Sequence, residues 1–276
     1  MNNIGFIGVG HMATALVHAF IRSKAIKPEN IILSNRSKEK LHKFKKAYAA
    51  IQIAQTNIEV VKKSNLIFVC ANTGEVIHVM KEISNGLTES KHVVIISGGL
   101  EMESVEKIFK GKISKLIPTL TCEVLEGTSL LCHNGRMELR EKKYLEKILK
   151  KIGSVKVVRE EQFAAYTVLS SCAPGLIASI FELFIESAVK QKGIDYRTSF
   201  EIILSSMFGT SKLLLEKNES FRELIGRVAR KGGNTELGVN AFERALPKVY
   251  RSIFEKVREN EIKRNLQTRK QFGLLS

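Results

Sequence analysis

The sequence predicts an α/β fold, with a doubly wound, mostly parallel sheet at the N-terminus and an all-helical domain after it. Three observations predict it. A Gly8-x-Gly10-x-x-Ala13 pattern lies between a short apolar run, Ile4 to Ile7, and an amphipathic segment. Short apolar runs then alternate with helical segments as far as about Glu160, as in a chain of βα units. Beyond that point only helical periodicity remains. A chain of 276 residues has room for two ordinary domains. The change of pattern places them at 1–160 and 161–276.

The glycine pattern is the dinucleotide fingerprint of a Rossmann-type domain, with Ala in its third small position. Gly8 permits a tight turn, Gly10 lets backbone approach a pyrophosphate, and Ala13 lets helix lie close on strand. His11 and Met12 stand at the helix start, where exposed N–H groups and the helix dipole suit an anion. A glycine-rich turn of another α/β fold is the competing reading. The second strand, Ile31–Leu33, ends in Ser34-Asn35-Arg36-Ser37. An NAD site usually places Asp or Glu there for the ribose 2′-hydroxyl, whereas an NADP site supplies a cation. Ser34 and Asn35 offer hydrogen bonds, and Arg36 offers a guanidinium to a 2′-phosphate. NADP(H) is therefore expected over NAD(H). The alternative is a solvated helix start capped by Ser37.

Further strands are expected at 51–54, 66–71, 93–96, 113–117, 129–132 and 154–158. Leu66–Ala71 is continuously apolar, as a buried parallel strand should be. Asn72, Ser97 and Thr119 follow strand ends, where open α/β sheets bind ligands. Helices are expected at 12–23, 38–48, 57–63, 75–83, 102–109 and 140–152. In the second half they are expected at 162–169, 175–193, 196–217, 220–228 and 236–258. Phe181, Phe184, Ile185 and Ala188 form one apolar stripe there, and Ile202, Ile203, Met207, Leu213 and Leu214 another. Such stripes read as core or subunit interface. The basic tail after Glu259 is expected to fray.

The formal net charge is +16, concentrated around Lys38–Lys46 and Lys248–Lys270. No aromatic stacking platform accompanies the basic residues, and no nucleic-acid module is recognisable. Solubility and steering of anionic ligands are the preferred account. Cys70, Cys122, Cys132 and Cys172 form no metal-type spacing, so no metal site is expected. Reduced thiols in a cytoplasmic protein are expected instead. No charged segment precedes an apolar stretch at the N-terminus, and no apolar run reads as long enough for a bilayer.

Taken together, the chain resembles the pyrroline-5-carboxylate reductase family over nearly its whole length. The matching pieces are Gly5-Phe6-Ile7-Gly8-x-Gly10-x-Met12, Ser34-Asn35-Arg36, Ser97-Gly98-Gly99-Leu100, Pro118, Glu126-Gly127 and Pro174. Phe221-x-x-Leu224-x-x-x-Val228 then leads into Gly232-Gly233-x-Thr235. The resemblance implies reduction of 1-pyrroline-5-carboxylate to proline with NAD(P)H. It implies a helical domain that intertwines into dimers and often larger homo-oligomers. It also implies a substrate carboxylate held at the helix start formed by Gly232, Gly233, Asn234 and Thr235, contributed by a second copy. Glycines there expose N–H groups and Thr235 adds a hydroxyl. A C-cap glycine pair between two helices is the other reading.

Several family motifs are altered. Cys70-Ala71-Asn72-Thr73 stands for Val-Lys-Pro, and Ile117-Pro118-Thr119-Leu120-Thr121 for Met-Pro-Asn-Thr-Pro. Ser170-Ser171-Cys172-Ala173-Pro174-Gly175 stands for Ser-Gly-Ser-Gly-Pro-Ala, and Arg230-Lys231 for Ser-Pro. The pattern is that of a divergent paralogue, similar to the competence-associated ComER-type proteins. The alternative function is therefore an NADP-binding regulator of the same fold without turnover. For an enzyme, the nicotinamide is expected near Asn72, Ser97 and Thr119. Thr235, a ring-nitrogen proton or water would complete the proton transfer. His11 and His133 read as isolated and structural.

Overall fold

The computed structural model describes residues 3–271 and 273. The described residues of Met1–Pro174 and Lys256–Ser276 form one compact unit, and Gly175–Glu255 forms a second.

The first unit is built on eight strands: β1 (Ile4–Ile7), β2 (Ile31–Ser34), β3 (Gln52–Ile53), β4 (Leu66–Val69), β5 (His92–Ile95), β6 (Lys112–Ile117), β7 (Gly127–His133) and β8 (Gly153–Val157). They lie in the order β3-β2-β1-β4-β5-β6-β7-β8. Every pairing is parallel except β6 with β7. The chain runs outward from β1 to β3, then returns to place β4 on the other side of β1. That reversal opens a crevice beyond the carboxyl ends of β1 and β4, where doubly wound folds bind ligands.

Helices α1 (His11–Arg22), α2 (Lys38–Ala47), α3 (Asn57–Lys63), α4 (Thr73–Ile83), α5 (Met102–Glu106), α6 (Leu139–Leu149) and α7 (Phe163–Leu169) complete this unit with the end of α11. Alternate strand residues feed two cores, one on each face of the sheet. Phe6, Leu33 and Phe68 join α1 on one face, and Phe6 stacks on Phe68 with centroids 4.8 Å apart. Ile7, Ile67, Val69, Val93 and Ile95 join α4 on the other. Strands β1, β2, β4 and β5 are buried along their whole length, which explains why they read as apolar runs rather than as alternations.

The second unit contains most of α8 (Ala173–Val189), together with α9 (Tyr196–Lys217), α10 (Phe221–Val228) and the first part of α11 (Asn234–Gln271). No strand occurs after β8 among the described residues. Ile185 is buried in the α8 stripe, but Leu183, Phe184, Phe208 and Leu215 are more than half exposed in the single chain. An apolar surface of this extent marks an interaction face.

Two expectations are corrected. The tail after Glu259 does not fray: α11 continues to Gln271. Arg258, Glu261, Ile262 and Asn265 recur at helical spacing and line one hollow of about 470 Å³ with Lys115 and Phe163. Thr268 is buried, and Arg269 lies 3.6 Å from Glu101. Few of these contacts are apolar, so the packed face left no hydrophobic stripe to read. The second correction concerns apolar length. The stretch Glu160–Val189 is long and apolar enough to cross a membrane by length and composition. The turn at Ser170–Cys172 divides it into α7 and α8, and this break hid the run from a residue-by-residue reading.

Candidate functional site

The site begins at the end of β1. Gly8 has φ +88° and donates its N–H to the Ser34 carbonyl at 2.9 Å. A Cβ at this position would stand 2.9 Å from the Cys70 carbonyl oxygen. Only glycine takes this backbone without strain and without pushing β4 away. Gly10 differs. Its φ is ordinary and a Cβ would meet nothing within 4 Å. Its missing side chain leaves open space in front of α1. That helix start has no side-chain cap and no acidic residue in its first turn. Its free N–H groups and positive dipole end therefore face the opening. An uncapped helix start beside a side-chain-free loop fits a pyrophosphate.

Asn35 organises the loop rather than waiting for a ligand. Its Oδ1 accepts the Val9 N–H at 2.9 Å, and its Nδ2 donates to the Ser37 carbonyl at 3.1 Å. Ser34 departs from expectation. It is buried, and its hydroxyl donates to Asn57 Oδ1 at 2.7 Å instead of lining the crevice. As the last residue of β2, it points into the packed side of the sheet. Ser37 begins α2 without giving a side-chain cap.

Two joined hollows follow the strand ends. The first, about 240 Å³, is lined by Gly8, Gly10, Asn35, Arg36, Lys40, Asn72 and Glu75, among others. The second, about 800 Å³, runs from Gly10, His11 and Met12 past Asn72 to Ser97, Pro118 and Arg264. The structure thus brings together Gly8, Gly10, His11, Met12, Asn35, Arg36, Asn72 and Ser97. It does not bring in Thr119, which is buried. The Thr119 hydroxyl accepts the Thr128 N–H at 2.7 Å and bonds Thr121 at 2.8 Å, fixing the turn after β6. Ser97 is also largely buried, and its hydroxyl is 2.9 Å from that of Thr73.

Three residues absent from the sequence reading matter here. Glu75, in the first turn of α4, holds the Arg36 guanidinium at 2.7 Å and accepts from Asn72 Nδ2 at 3.4 Å. Lys115, in β6, is buried with its Nζ 3.3 Å from Glu160 and 5.0 Å from the Phe163 ring centroid. Arg264 arrives from α11. A Cβ on Gly99 would lie 3.1 Å from the Arg264 Cβ, so the glycine allows the helix to rest on that loop. Only Glu75 follows a strand end closely enough for sequence to have flagged it; the other two contacts span 45 residues or more.

His133 is not isolated. His92 Nε2 lies 2.7 Å from the Ser114 hydroxyl, which lies 2.6 Å from His133 Nδ1. The hydroxyl donates to one ring and accepts from the other. Burial pushes His92 down to about 3 and His133 to about 4. Both rings are neutral in the folded protein at neutral pH. Cys70 lines both hollows, and burial pushes its thiol far above the ordinary range.

In the second unit, Gly232 has φ +77° and opens onto empty space. Its N–H donates to the Glu236 carboxylate at 2.7 Å, and the Gly233 N–H donates to the Arg230 carbonyl at 2.9 Å. Asn234 and Thr235 form the first turn of α11. The segment is a helix start, not the C-cap of α10, which ends six residues before Asn234 at Val228.

Residues 160–265 match the family model described as pyrroline-5-carboxylate reductase dimerisation. Residues 3–100 match that of coenzyme F420-dependent NADP oxidoreductases. A protein of Bacillus subtilis named pyrroline-5-carboxylate reductase 3 is 31% identical over 257 residues, covering 93% of this chain and 94% of its own. The ComE operon protein 4 of the same organism is 24% identical over 252 residues, covering 91% and 92%. The pyrroline carboxylate reductase of Plasmodium falciparum, solved with NADP bound, shares the fold with a TM-score of 0.85 at 23% identity, covering 96% and 98%. With a relative this similar along nearly the full length of both chains, the chain belongs to the pyrroline-5-carboxylate reductase family.

Proposed function

We propose that the chain is an NADP(H)-dependent oxidoreductase that reduces 1-pyrroline-5-carboxylate, or a closely related cyclic imine, to proline. The observation that carries this reading is the open space at Gly10 before the uncapped start of α1, in a chain of this family. Residues 1–160 are assigned to nucleotide binding. Residues 161–276 are assigned to substrate binding and to assembly of a homodimer or larger homo-oligomer. The exposed apolar residues of α8 and α9 support the second assignment. No membrane or nucleic-acid partner belongs to this reading, and a cytoplasmic location goes with it.

The cofactor supplies the hydride. The imine carbon accepts it, the C=N π electrons move onto nitrogen, and one proton joins that nitrogen. The chain binds and orients. The α1 start and Gly10 hold the pyrophosphate, Arg36 and Lys40 face the 2′-phosphate, and Asn72 and Ser97 border the nicotinamide. Gly232, Gly233, Asn234 and Thr235, contributed by a second copy of the chain, hold the substrate carboxylate. Thr235 is the side chain nearest to the chemistry in this scheme, so its loss should be measurable. Thr235→Ala is expected to lower kcat/KM for pyrroline-5-carboxylate about 10- to 100-fold, the range of one hydrogen bond to a charged group. Steady-state NADPH oxidation measures it, and full activity in the variant removes Thr235 from the site.

The cofactor preference rests on Arg36. Its ion pair with Glu75 involves side chains 78% and 39% exposed, so it is worth about 0–1 kcal/mol. A phosphate dianion outcompetes such a pair. Arg36→Ala is expected to weaken NADPH about tenfold and NADH little, as read by fluorescence titration. Equal effects on both would refute the assignment.

A second reading is an NADP-binding regulator without turnover. The altered Cys70-Ala71-Asn72 segment and the Glu236 carboxylate on the Gly232 N–H favour it. NADPH binding with no oxidation by pyrroline-5-carboxylate is the result that selects it.

A further inference from the structure

The second strand ends without a carboxylate, yet the folded chain brings one to the same place. Glu75 enters from the first turn of α4 and lines the hollow that also contains Asn35, Arg36 and Lys40. One of its oxygens holds the Arg36 guanidinium at 2.7 Å, and the other accepts from Asn72 at 3.4 Å. Resting on the proposed NADP(H) site, we propose that Glu75 sets the cofactor preference by occupying Arg36 whenever no 2′-phosphate is present.

The argument is one of charge and geometry. A 2′-phosphate beside Asn35 and Arg36 meets two cations, Arg36 and Lys40, and one carboxylate, Glu75. Arg36 must leave Glu75 to grip the phosphate with its planar fork. The carboxylate then faces a dianion across the same small hollow, and like charges in one site repel. With NADH there is no phosphate. Arg36 stays on Glu75, and a carboxylate oxygen is available to a ribose 2′-hydroxyl, the task of the acidic residue in NAD sites. Glu75 therefore lowers NADPH affinity and leaves NADH affinity intact, which makes the chain more tolerant of both cofactors than Arg36 alone dictates.

The test uses Glu75→Gln in the full chain. Glutamine keeps the shape and an acceptor for Asn72 while removing the charge. NADPH and NADH dissociation constants are read by fluorescence titration, with thermal melts as the folding control. NADPH is expected to bind about two- to fivefold more tightly, with NADH unchanged or slightly weaker. The gain should shrink when the same change is made on Arg36→Ala. Unchanged or weaker NADPH binding by a folded E75Q overturns the proposal, and an undiminished gain without Arg36 overturns the claim that Glu75 acts by holding it. Wild-type protein that binds neither dinucleotide sinks the proposed function itself. Wild-type protein that binds both, with E75Q indifferent, sinks this inference alone.

Discussion

Gly10→Val is expected to lose NADPH affinity by about 100-fold or more, while the protein folds normally. The loss corresponds to about 2.8 kcal/mol, the worth of one or two charge-assisted hydrogen bonds from the start of α1. Two facts separate the binding effect from a folding effect. A Cβ at Gly10 meets nothing within 4 Å, and the residue has φ −85°, so valine introduces no clash with the protein and no left-handed strain. The space it fills is the space assigned to the pyrophosphate in the proposed function. Gly8 provides the contrast. There a Cβ meets the Cys70 carbonyl at 2.9 Å and the backbone sits at φ +88°. Substitution there costs about 1–3 kcal/mol in backbone strain alone, before the clash. Titration of NADPH with parallel melts checks the pair. Near-normal NADPH binding by a folded Gly10→Val protein would remove the cradle from the site.

Acid should unfold this chain in a window set by two histidines. His92 and His133 are held below their usual value of 6.5 by burial, to about 3 and about 4. The unfolded chain protonates both near 6.5, while the folded chain does not. Below that pH the unfolded state binds more protons, so stability falls as pH falls. The loss begins near pH 6.5 and ends for His133 near 4 and for His92 near 3. Above 6.5 the effect is absent. Each proton taken up only by the unfolded chain steepens the fall inside this window, in a protein whose total stability is about 5–15 kcal/mol. His133→Gln is expected to flatten the change in Tm between pH 7 and pH 4.5, relative to wild type. Parallel pH profiles for the two proteins would show that the acid transition belongs to carboxylates instead.

The sheet was readable because its strands are buried on both faces, and such strands are continuous apolar runs. Leu66–Val69 and His92–Ile95 fell within a residue or two of their observed limits. The glycine loop was readable because backbone geometry demands particular residue types. The polar features were not readable. His92, Ser114 and His133 meet only because β5, β6 and β7 are neighbours, with Ser114 opposite His133 in the antiparallel register. Nothing local to any of the three announces the others. Lys115 falls inside the expected strand 113–117 with no local signal of its role, since its partner Glu160 lies 45 residues away. The end of α11 buries Thr268 and pairs Arg269 with Glu101 rather than burying an apolar stripe, so hydrophobic periodicity stopped short of it. Arg36 was legible as a cation at the end of β2, but its pairing with Glu75 was not, because the two meet across the end of β1, which lies between β2 and β4 in the sheet.

Three thiols of this chain share a property with a practical consequence. Burial pushes Cys122 up to about 11 and Cys132 to about 12, and Cys70 higher still. The thiolate is the form that attacks peroxides, disulfides and alkylating agents. At neutral pH these three side chains hold almost none of it. Cys70 borders the two hollows beside Gly8 and Gly10, so alkylation of this sulfur at neutral pH is expected to be slow.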